Sequence, residues 1–386
     1  MEKVRLGVVG YGNMGTSHCK NIAAGKVPNM ELTAICDSSE KRRNAAKEKH
    51  AHVAIFESAT ELYKSGLCDL VIVATPHYNH PKLVEEAFSY GLNVITEKPA
   101  GVYTKQVLEM NTVAEKSGKL FGIMYNQRTN PVYQKVRELV QSGALGHVKR
   151  ISWVITDWYR SQAYHDSSAW RSSWKNEGGG TLINQNPHQL DLWQWMFGMP
   201  DKITAFASFG KYYDIEVEDD VTAYFEYENG TTGTYITSTG EAPGENRLEI
   251  ACDMGKLIVE KDEVTFYRNV VSERVFNETN KKPFGKPECW TCKIPIKGET
   301  ENHVGIFKNV TNALLNGTEL LAPGYEGING LTISNAIHYS AWTGKTVDVK
   351  HFPHAEFYDL LQERIANSTM VKKEGEAQIA DTEGSY

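Results

Sequence analysis

The sequence predicts an α/β Rossmann domain with a parallel sheet, followed by an α+β domain with a large, mainly antiparallel open sheet. In the first third of the chain, short apolar runs alternate with amphipathic helical stretches, which is the pattern of βαβ units. Longer alternating runs separated by turn residues follow, as expected of antiparallel strands. At 386 residues, the chain is too long for one ordinary domain and comfortable for two.

The change of pattern divides the chain into three parts. Residues 1–126 are predicted to form the Rossmann domain and residues 127–353 the α+β domain. Residues 354–386 are predicted to form a C-terminal helix and a mobile tail, because few large apolar residues follow Asn367.

In the first domain, Leu70–Ala74 is almost wholly aliphatic, which is typical of a strand covered on both faces. Gly91 and Gly118 mark the ends of two helices. The predicted strands are Val4–Val9, Glu31–Cys36, Leu70–Ala74, Asn93–Thr96 and Leu120–Met124. The predicted helices are Thr16–Ala24, Ser39–Lys49, Pro81–Tyr90 and Lys105–Ser117.

The second domain opens with a predicted helix over Asn130–Ser142 and later contains the helices Glu301–Asn316 and Gly327–Thr343. Turn residues such as Met254-Gly255 separate several of its strands. The predicted strands are Val148–Asp157, Ile203–Tyr212, Asp220–Tyr227, Thr231–Thr239, Arg247–Cys252, Lys256–Glu260 and Val264–Arg268.

Composition excludes several classes of protein. With 41 Lys and Arg against 48 Asp and Glu, the net charge is 41 − 48 = −7, which argues against a nucleic-acid partner. The apolar runs are far shorter than the roughly 20 residues of a membrane helix, so no membrane partner is expected. The first residues do not show the pattern of a secretory leader, and six cysteines in so long a chain do not indicate a disulfide scaffold. We therefore expect a cytoplasmic protein.

A glycine-rich turn follows the first strand. The residues Gly10, Tyr11, Gly12, Asn13, Met14 and Gly15 match G-x-G-x-x-G, and they precede a predicted helix. Such a turn brings the backbone and the helix N-terminus close to a pyrophosphate. Asp37 closes the second strand, where a carboxylate accepts hydrogen bonds from both ribose hydroxyls of NAD and repels a 2′-phosphate. NAD is therefore the favoured cofactor, although Arg42 and Arg43 leave NADP open.

Polar residues follow two further strands at the edge of the sheet where ligands bind. Thr75, Pro76 and His80 follow the third strand, and Glu97 and Lys98 follow the next, so they are expected to face the cofactor. Asn126 and Arg128 follow the last strand of the domain, where Asn126 is a candidate for binding the cofactor and Arg128 for lining the substrate site. An ammonium such as that of Lys98 can polarise a hydroxyl or the carbonyl formed from it.

The segment Gly178–Trp193 is predicted to be helical after its three glycines. On a helix, Asn184 and His188 share one face because they are four residues apart, and Asp191 is placed to orient His188. A histidine is suited to accept an alcohol proton, since its pKa lies near physiological pH.

Together, Gly10–Gly15, Glu97-Lys98-Pro99 and Gly178–Asp191 resemble the glucose-fructose oxidoreductase / inositol dehydrogenase / rhizopine catabolism (Gfo/Idh/MocA) family. The resemblance extends to about residue 350. It implies NAD(P)-linked oxidation of a secondary hydroxyl of a sugar or cyclitol, with the family's lysine at Lys98 and its histidine at His188. Many members carry Asp where this chain has Asn184. The resemblance also implies a homodimer or homotetramer formed through the outer face of the large sheet.

The residues before the triple glycine are rich in aromatic and guanidinium groups. Aromatic faces pack on sugar rings, and arginine binds hydroxyls, so this segment is a candidate substrate site; packing in the core or between subunits explains its tryptophans equally well. The predicted substrate-binding residues are Tyr159, Tyr164, Trp170, Arg171, Asn184 and Arg128. No metal is expected, because the C-x-x-C at Cys289 and Cys292 has no second pair.

These observations predict a dehydrogenase that acts on a ring hydroxyl of a sugar, cyclitol or glycoside, with C3 of a hexose-type ring as the favoured position. One alternative is a redox-neutral enzyme whose tightly bound NAD cycles during elimination, epimerisation or hydration. A second alternative is a non-catalytic NAD(P)-binding sensor. Retention of both Lys98 and His188 argues against the sensor.

Overall fold

The computed structural model describes residues 2–370. Its first sheet is wholly parallel, with strand order β3-β2-β1-β4-β5-β6. The strands are β1 (Val4–Val9), β2 (Met30–Cys36), β3 (Ala54–Phe56), β4 (Leu70–Val73), β5 (Asn93–Thr96) and β6 (Phe121–Ile123). Every residue of β4 is buried, as its aliphatic composition predicts. The predicted parallel Rossmann sheet is therefore confirmed.

Five helices connect these strands: α1 (Asn13–Ala23), α2 (Glu40–Lys49), α3 (Ala59–Lys64), α4 (His80–Ser89) and α5 (Thr104–Ser117). A capping box between Ser58 and Glu61 begins α3, and Gly118 in the left-handed conformation ends α5. The prediction missed β3 and α3, since both are short and only partly buried.

The second sheet has nine strands in the order β14-β13-β12-β11-β7-β10-β9-β8-β15. All neighbouring pairs are antiparallel except β7 with β10, so the predicted mainly antiparallel open sheet is confirmed. Its strands are β7 (Val148–Ile155), β8 (Lys202–Phe209), β9 (Glu218–Glu226), β10 (Thr232–Ser238), β11 (Asn246–Cys252), β12 (Gly255–Glu260), β13 (Glu263–Asn269), β14 (Cys289–Ile294) and β15 (Val347–Asp348).

Helices cover one face of this sheet. The buried Trp193 of α8 lies 6.5 Å from the ring of Trp153 on β7, and Ser340 of α11 accepts a 2.9 Å hydrogen bond from the amide of Ala205 on β8. The helices of this part are α6 (Pro131–Gln141), α7 (Gln162–Asp166), α8 (Pro187–Phe197), α9 (Glu273–Thr279), α10 (Asn302–Asn316), α11 (Gly327–Thr343) and α12 (His354–Ala366).

Helix α10 returns to the first domain. Phe307 and Val310 lie in the core of the parallel sheet, and Gly122 of β6 forms an isolated antiparallel bridge with Pro323. A division of the chain near residue 126 therefore separates the two sheets but leaves α10 packed on the domain that precedes it. The predicted C-terminal helix corresponds to α12, whereas most of the predicted mobile tail, residues 371–386, lies outside the described residues.

The helix predicted to follow the triple glycine starts later than expected. Residues 178–186 form a series of turns, and α8 begins only at Pro187. The carboxylate of Glu218 on β9 accepts hydrogen bonds from the amides of Gly180 (3.0 Å) and Leu182 (2.9 Å), so these amides are engaged by another element. Asn184 and His188 therefore do not share a helix face. Within residues 2–370, no helix has the length and apolar character needed to cross a membrane.

Candidate active site

The glycine-rich turn joins β1 to α1 and leaves room for a ligand. A Cβ atom at Gly15 would lie 1.8 Å from the carbonyl oxygen of Gly10, so the turn closes only with glycine there. At Gly12 the nearest atom to such a Cβ would be Nη1 of Arg42, at 3.9 Å, so the space above Gly12 is open. An open backbone at a helix N-terminus fits the pyrophosphate of a dinucleotide.

Asp37 lies at the end of β2 beside this turn. Its Oδ2 accepts a 2.7 Å hydrogen bond from the amide of Tyr11, and its Oδ1 accepts one of 2.9 Å from the amide of Ser39. Arg42 lies 3.6 Å from the carboxylate, whereas Arg43 donates to the backbone carbonyls of Asp37 and Ser38. The turn residues and Asp37 therefore meet at one edge of the sheet, as a ribose and pyrophosphate site requires.

Two other predicted cofactor-binding residues are engaged within the protein. The ring of His80 lies between the carbonyl oxygens of Thr75 (2.6 Å) and Pro99 (2.8 Å), so it connects two loops at the edge of the sheet. Asn126 is fully buried, and its Nδ2 lies 3.5 Å from Oδ1 of Asn302. The structure thus places both side chains inside the protein, while the Thr75-Pro76 loop stays beside the strand end.

Glu97 anchors the loop that carries Lys98. Its Oε1 lies 2.6 Å from Nε2 of His18 on α1, and its Oε2 accepts a 3.2 Å hydrogen bond from the amide of Lys98. Burial alone would raise the pKa of this carboxyl, but the hydrogen bond and charge of His18, together with the charges of His303 and Lys98, lower the pKa to about 2. Glu97 is thus an ionised link between the helix of the glycine turn and Lys98.

Lys98 reaches across to the second domain. Its Nζ donates a 2.8 Å hydrogen bond to the backbone carbonyl oxygen of Asn184. Burial lowers the pKa of Lys98 to about 8, with Arg171 and Arg160 lowering it further and Glu97 and Glu177 opposing them. The ammonium is therefore retained at neutral pH but is close to its titration range.

His188, the second residue of α8, lies near this ammonium. The side chain is 1% exposed, and neither ring nitrogen has a hydrogen-bond partner within the part of the chain that the structure describes. Burial, followed by the charge of Lys98, lowers the pKa of His188 well below its ordinary value. A buried neutral imidazole without a partner is unusual, because buried polar groups are normally hydrogen-bonded.

A group of polar side chains surrounds the hydroxyl of Tyr164. This oxygen accepts hydrogen bonds from Nη1 of Arg171, from Nε2 of Gln185 at 3.0 Å and from Nδ2 of Asn184 at 3.3 Å. The guanidinium of Arg160 lies 5.1 Å from the centroid of the Tyr164 ring. The structure therefore brings the predicted residues Tyr164, Arg171 and Asn184 together, and we call them, with Arg160 and Gln185, the Tyr164 cluster.

Glu177 joins this cluster, although it was not among the predicted residues. Its carboxylate accepts hydrogen bonds from Nδ2 of Asn184 and from the amide of Ser172, and the residue is 3% exposed. Burial raises the pKa of Glu177 to about 7, although Arg171 opposes the rise. The resemblance noted in the sequence implies Asp where this chain has Asn184, and the structure places the carboxyl of Glu177 one side chain away. In the sequence, Glu177 could have been recognised as a candidate by its position directly before the triple glycine.

Other predicted residues lie elsewhere. Arg128 is 1% exposed and binds both carboxylate oxygens of Asp191, at 2.8 and 2.6 Å, as well as Glu326 at 2.6 Å. This corrects two assignments, because Arg128 has its donors engaged away from the site and Asp191 holds Arg128 instead of His188. Trp170 packs edge-on against His77 at 5.1 Å, and Tyr159 is 48% exposed outside the Tyr164 cluster. No group of three or more His, Cys, Asp or Glu in residues 2–370 is arranged to hold a metal ion.

Comparison with known proteins identifies the family of the chain. Residues 4–125 match the model of an oxidoreductase family with an NAD-binding Rossmann fold, and residues 133–258 match the GFO/IDH/MocA C-terminal domain. The rhizopine catabolism protein MocA of Rhizobium meliloti is 29% identical over 51% of this chain and 58% of its own length. D-glucoside 3-dehydrogenase of Escherichia coli is 28% identical over 52% of this chain and 60% of its own. These alignments thus span little more than half of either relative.

A solved structure extends the likeness over most of the chain. The WlbA dehydrogenase from Bordetella pertussis superimposes with a TM-score of 0.77 and 24% identity over 90% of this chain and 98% of that chain. At this identity the match shows the fold alone. The two family models together cover most of both sheets, including the glycine turn, Lys98 and His188. The chain therefore belongs to the Gfo/Idh/MocA family of oxidoreductases, whose N-terminal domain is an NAD-binding Rossmann fold.

Proposed function

We propose that this protein is an NAD-dependent dehydrogenase that interconverts a secondary ring hydroxyl and the corresponding ketone in a sugar, cyclitol or glycoside. One observation supports this function above the others. A buried, neutral imidazole at His188 has no partner within residues 2–370 and lies beside the ammonium of Lys98. A substrate hydroxyl would satisfy both groups at once, because it can donate to the imidazole and accept from the ammonium.

Each side chain then has a defined task. When bound, the nicotinamide of NAD supplies the hydride acceptor. Lys98 donates a hydrogen bond to the reacting oxygen and stabilises the negative charge that develops there. One ring nitrogen of His188 receives the hydroxyl proton, and its lowered pKa keeps that nitrogen unprotonated at neutral pH. Glu97 holds the Lys98 loop, and Asn184 and Tyr164 orient the ring.

The substrate class is proposed from the relatives. Oxidation at C3 of a hexose-type ring is supported by the likeness to D-glucoside 3-dehydrogenase, and the WlbA structure was solved with NADH and UDP-GlcNAcA. NAD is favoured over NADP because the Asp37 carboxylate occupies the ribose end of the turn. All six cysteines are unpaired, which supports a reducing, cytoplasmic location.

We also propose that the protein forms a homodimer or homotetramer through the outer face of the second sheet. Phe206 on β8 is 75% exposed, Tyr224 on β9 is 44% exposed and Tyr267 on β13 is 39% exposed. Aromatic side chains on an open sheet face are typical of a surface that a partner covers. A second copy of the chain is the occupant we propose.

Substitution of Lys98 tests the proposed reaction. The unaltered protein should reduce NAD in the presence of at least one sugar, cyclitol or glycoside, with turnover falling above about pH 8 as Lys98 loses its proton. Lys98→Ala should lower kcat by about 10²–10⁴-fold, because the developing charge loses its donor. Absorbance of NADH gives the rate, and cofactor fluorescence measures the Kd for NAD separately, so that loss of chemistry is distinguished from loss of cofactor binding.

Lys82→Ala, at an exposed lysine of α4, is the matched control and should keep full activity. Turnover by Lys98→Ala at the unaltered rate would refute the assignment. Product formed without stoichiometric NADH would instead indicate a bound cofactor that cycles. A protein that binds NAD but turns over no panel member would favour the sensor.

A further inference from the structure

Three cationic side chains gather around the proposed substrate site. The guanidinium of Arg171 lies 4.3 Å from the centroid of the Tyr164 ring, and that of Arg160 lies 5.1 Å from it. Both arginines are close enough to Lys98 for their charges to lower its pKa. Like charges brought together in this way repel one another, so the arrangement is costly unless something compensates for it.

The protein itself supplies little compensation. Neither Arg160 nor Arg171 has a carboxylate oxygen within 4.0 Å in the part of the chain that the structure describes. The charge of Arg160 acts on Asp157, and that of Arg171 acts on Glu177, but neither carboxylate forms an ion pair with its arginine. Glu177 is already engaged by Asn184 and Ser172, and its raised pKa leaves it only partly ionised at neutral pH.

Arg128 shows how this chain treats a buried guanidinium that serves the fold. It is paired with two carboxylates, Asp191 and Glu326, and both oxygens of Asp191 are used. Arg160 and Arg171 have no such pairing, although both are half-buried. Arg128 is thus neutralised by carboxylates of the protein, whereas Arg160 and Arg171 are not.

The donors that these two guanidiniums leave unpaired indicate which kind of group would compensate their charge. Arg171 uses Nη1 for the Tyr164 hydroxyl, and Arg160 uses Nη1 for the carbonyl oxygen of Tyr159. The Nε atoms of both are buried without a hydrogen-bond partner in residues 2–370. An edge formed by Nε and the second terminal nitrogen matches two oxygens of a carboxylate or a phosphate.

We propose that the sugar substrate carries an anionic oxyacid group, either a carboxylate or a phosphate, which Arg160 and Arg171 bind beside the reacting hydroxyl. The inference rests on the proposed function, since it concerns the same site. Binding of that group satisfies the unpartnered donors and offsets the repulsion among the three cations. Specificity then comes from charge pairing at the arginines, whereas the chemistry remains with Lys98 and His188.

Matched ligands test this inference. For glucose and galactose, the methyl glycoside, the methyl glycosiduronate and the methyl glycoside 6-phosphate differ only at C6. Titration calorimetry on the NADH-loaded protein at low salt should give at least tenfold tighter binding of one anionic member than of its neutral counterpart. The same pairs are assayed with NAD for turnover. The uronate and phosphate arms decide which oxyacid is the natural one.

Variants connect the preference to the arginines. The double substitution Arg160→Gln, Arg171→Gln should reduce the anionic preference, taken as the ratio of the Kd of the neutral sugar to that of its anionic counterpart, to about one. Arg364→Gln is the control, because that guanidinium also stacks on an aromatic ring, Trp342, at 3.8 Å, but belongs to α12. It should leave the preference intact.

The outcomes separate the two proposals. Equal or tighter binding of every neutral member, no binding of any member, or a preference that survives the double substitution would overturn the inference. Turnover of neutral glycosides that depends on Lys98, without anionic preference, would leave the proposed function standing alone. Selective binding of an anionic sugar without any turnover would support the arginine site and refute the dehydrogenase.

Discussion

At the scale of single residues, burial shapes the chemistry of the site. It lowers the pKa of Lys98 to about 8 and lowers that of His188 well below its usual range, while it raises that of Glu177 to about 7. Each shift favours the neutral form, as expected where water is excluded. Of these three groups, Lys98 is the one that stays mainly charged near neutral pH, so a neutral proton acceptor and a cation lie beside one another.

Glu177 should make the stability of the fold depend on pH. Because its pKa is about 7 in the folded protein and close to 4.3 in the unfolded chain, the folded state binds the extra proton between these values. Its contribution to stability is present below about pH 4 and is lost as the pH rises to about 7. Glu177→Gln lacks this term. The difference in free energy of unfolding, variant minus unaltered protein, should therefore increase by about 2–3 kcal/mol as the pH rises from 4.5 to 7.5.

Urea unfolding at a series of pH values measures this difference. Any fixed cost of replacing an oxygen by an amide nitrogen is the same at each pH and drops out of the slope. A difference that stays constant over the whole range would contradict the raised pKa. Glu138→Gln, at an exposed position of α6, is the control and should show no such slope.

At the scale of elements, different glycines of the glycine turn have different roles: one allows the turn to close, and another leaves room for the ligand. Gly15 is required because its Cβ would strike the Gly10 carbonyl at 1.8 Å, whereas Gly12 has an ordinary φ of −80° and open space. The same three-glycine motif therefore contains positions with different physical reasons for glycine.

Alanine at these two positions should give opposite results. Gly15→Ala should lower the thermal midpoint by several degrees or prevent folding, since the backbone of the turn must move. Gly12→Ala should keep the midpoint within about 2 °C, because a change of less than about 0.5 kcal/mol shifts it only slightly. It should nevertheless weaken NAD binding at least tenfold, as the added methyl group lies where the pyrophosphate approaches. Scanning fluorimetry and cofactor titration measure the two effects, and equal loss of stability in both variants would contradict this division.

Regular elements were predictable because the spacing of apolar residues in the local sequence follows the periodic burial of a helix or strand. The prediction of β1, β5 and α11 agrees with the structure to the residue, and α5 differs by one residue at its start. The segment 178–186 was not predictable in this way. Its amides bind the carboxylate of Glu218, about 40 residues later in the chain, and no local pattern reports that contact. The burial of Glu177 and the pairing of Arg128 with Asp191 depend on similar long-range packing.

At the scale of the whole molecule, Arg128 ties the segment that follows β6 to two elements of the second domain. It follows β6 in sequence, and it pairs with Asp191 of α8 and with Glu326 just before α11. Both members of the Arg128–Asp191 pair are 1% exposed. A pair buried this deeply adds little to net stability, but the protein is strongly destabilised when one partner is removed and the other stays buried and charged.

Removal of one partner should therefore cost more than removal of both. Arg128→Met should lower the free energy of unfolding by about 3–5 kcal/mol, because the Asp191 carboxylate remains buried without its cation. The double substitution Arg128→Met, Asp191→Leu should recover part of this loss. Guanidinium unfolding measures both. A single variant as stable as the unaltered protein would show that the ion pair does not hold the domains together.

The proposed self-association also belongs to this scale. Phe206→Asp combined with Tyr224→Asp places two charges on the outer face of the second sheet, where burial against another copy would be unfavourable. Light scattering after gel filtration should show a dimer or tetramer for the unaltered protein and a smaller species for the variant. Identical masses would place the contact elsewhere or exclude it, and an unchanged circular dichroism spectrum confirms that the fold is intact.

The return of α10 to the first domain bears on how the protein is made. A ribosome that has released only the Rossmann strands has not yet synthesised Phe307 and Val310, which complete their core. The nascent domain consequently waits, with apolar surface uncovered, until nearly two hundred further residues have emerged. The first domain therefore completes its folding at the same late stage of synthesis as the second domain.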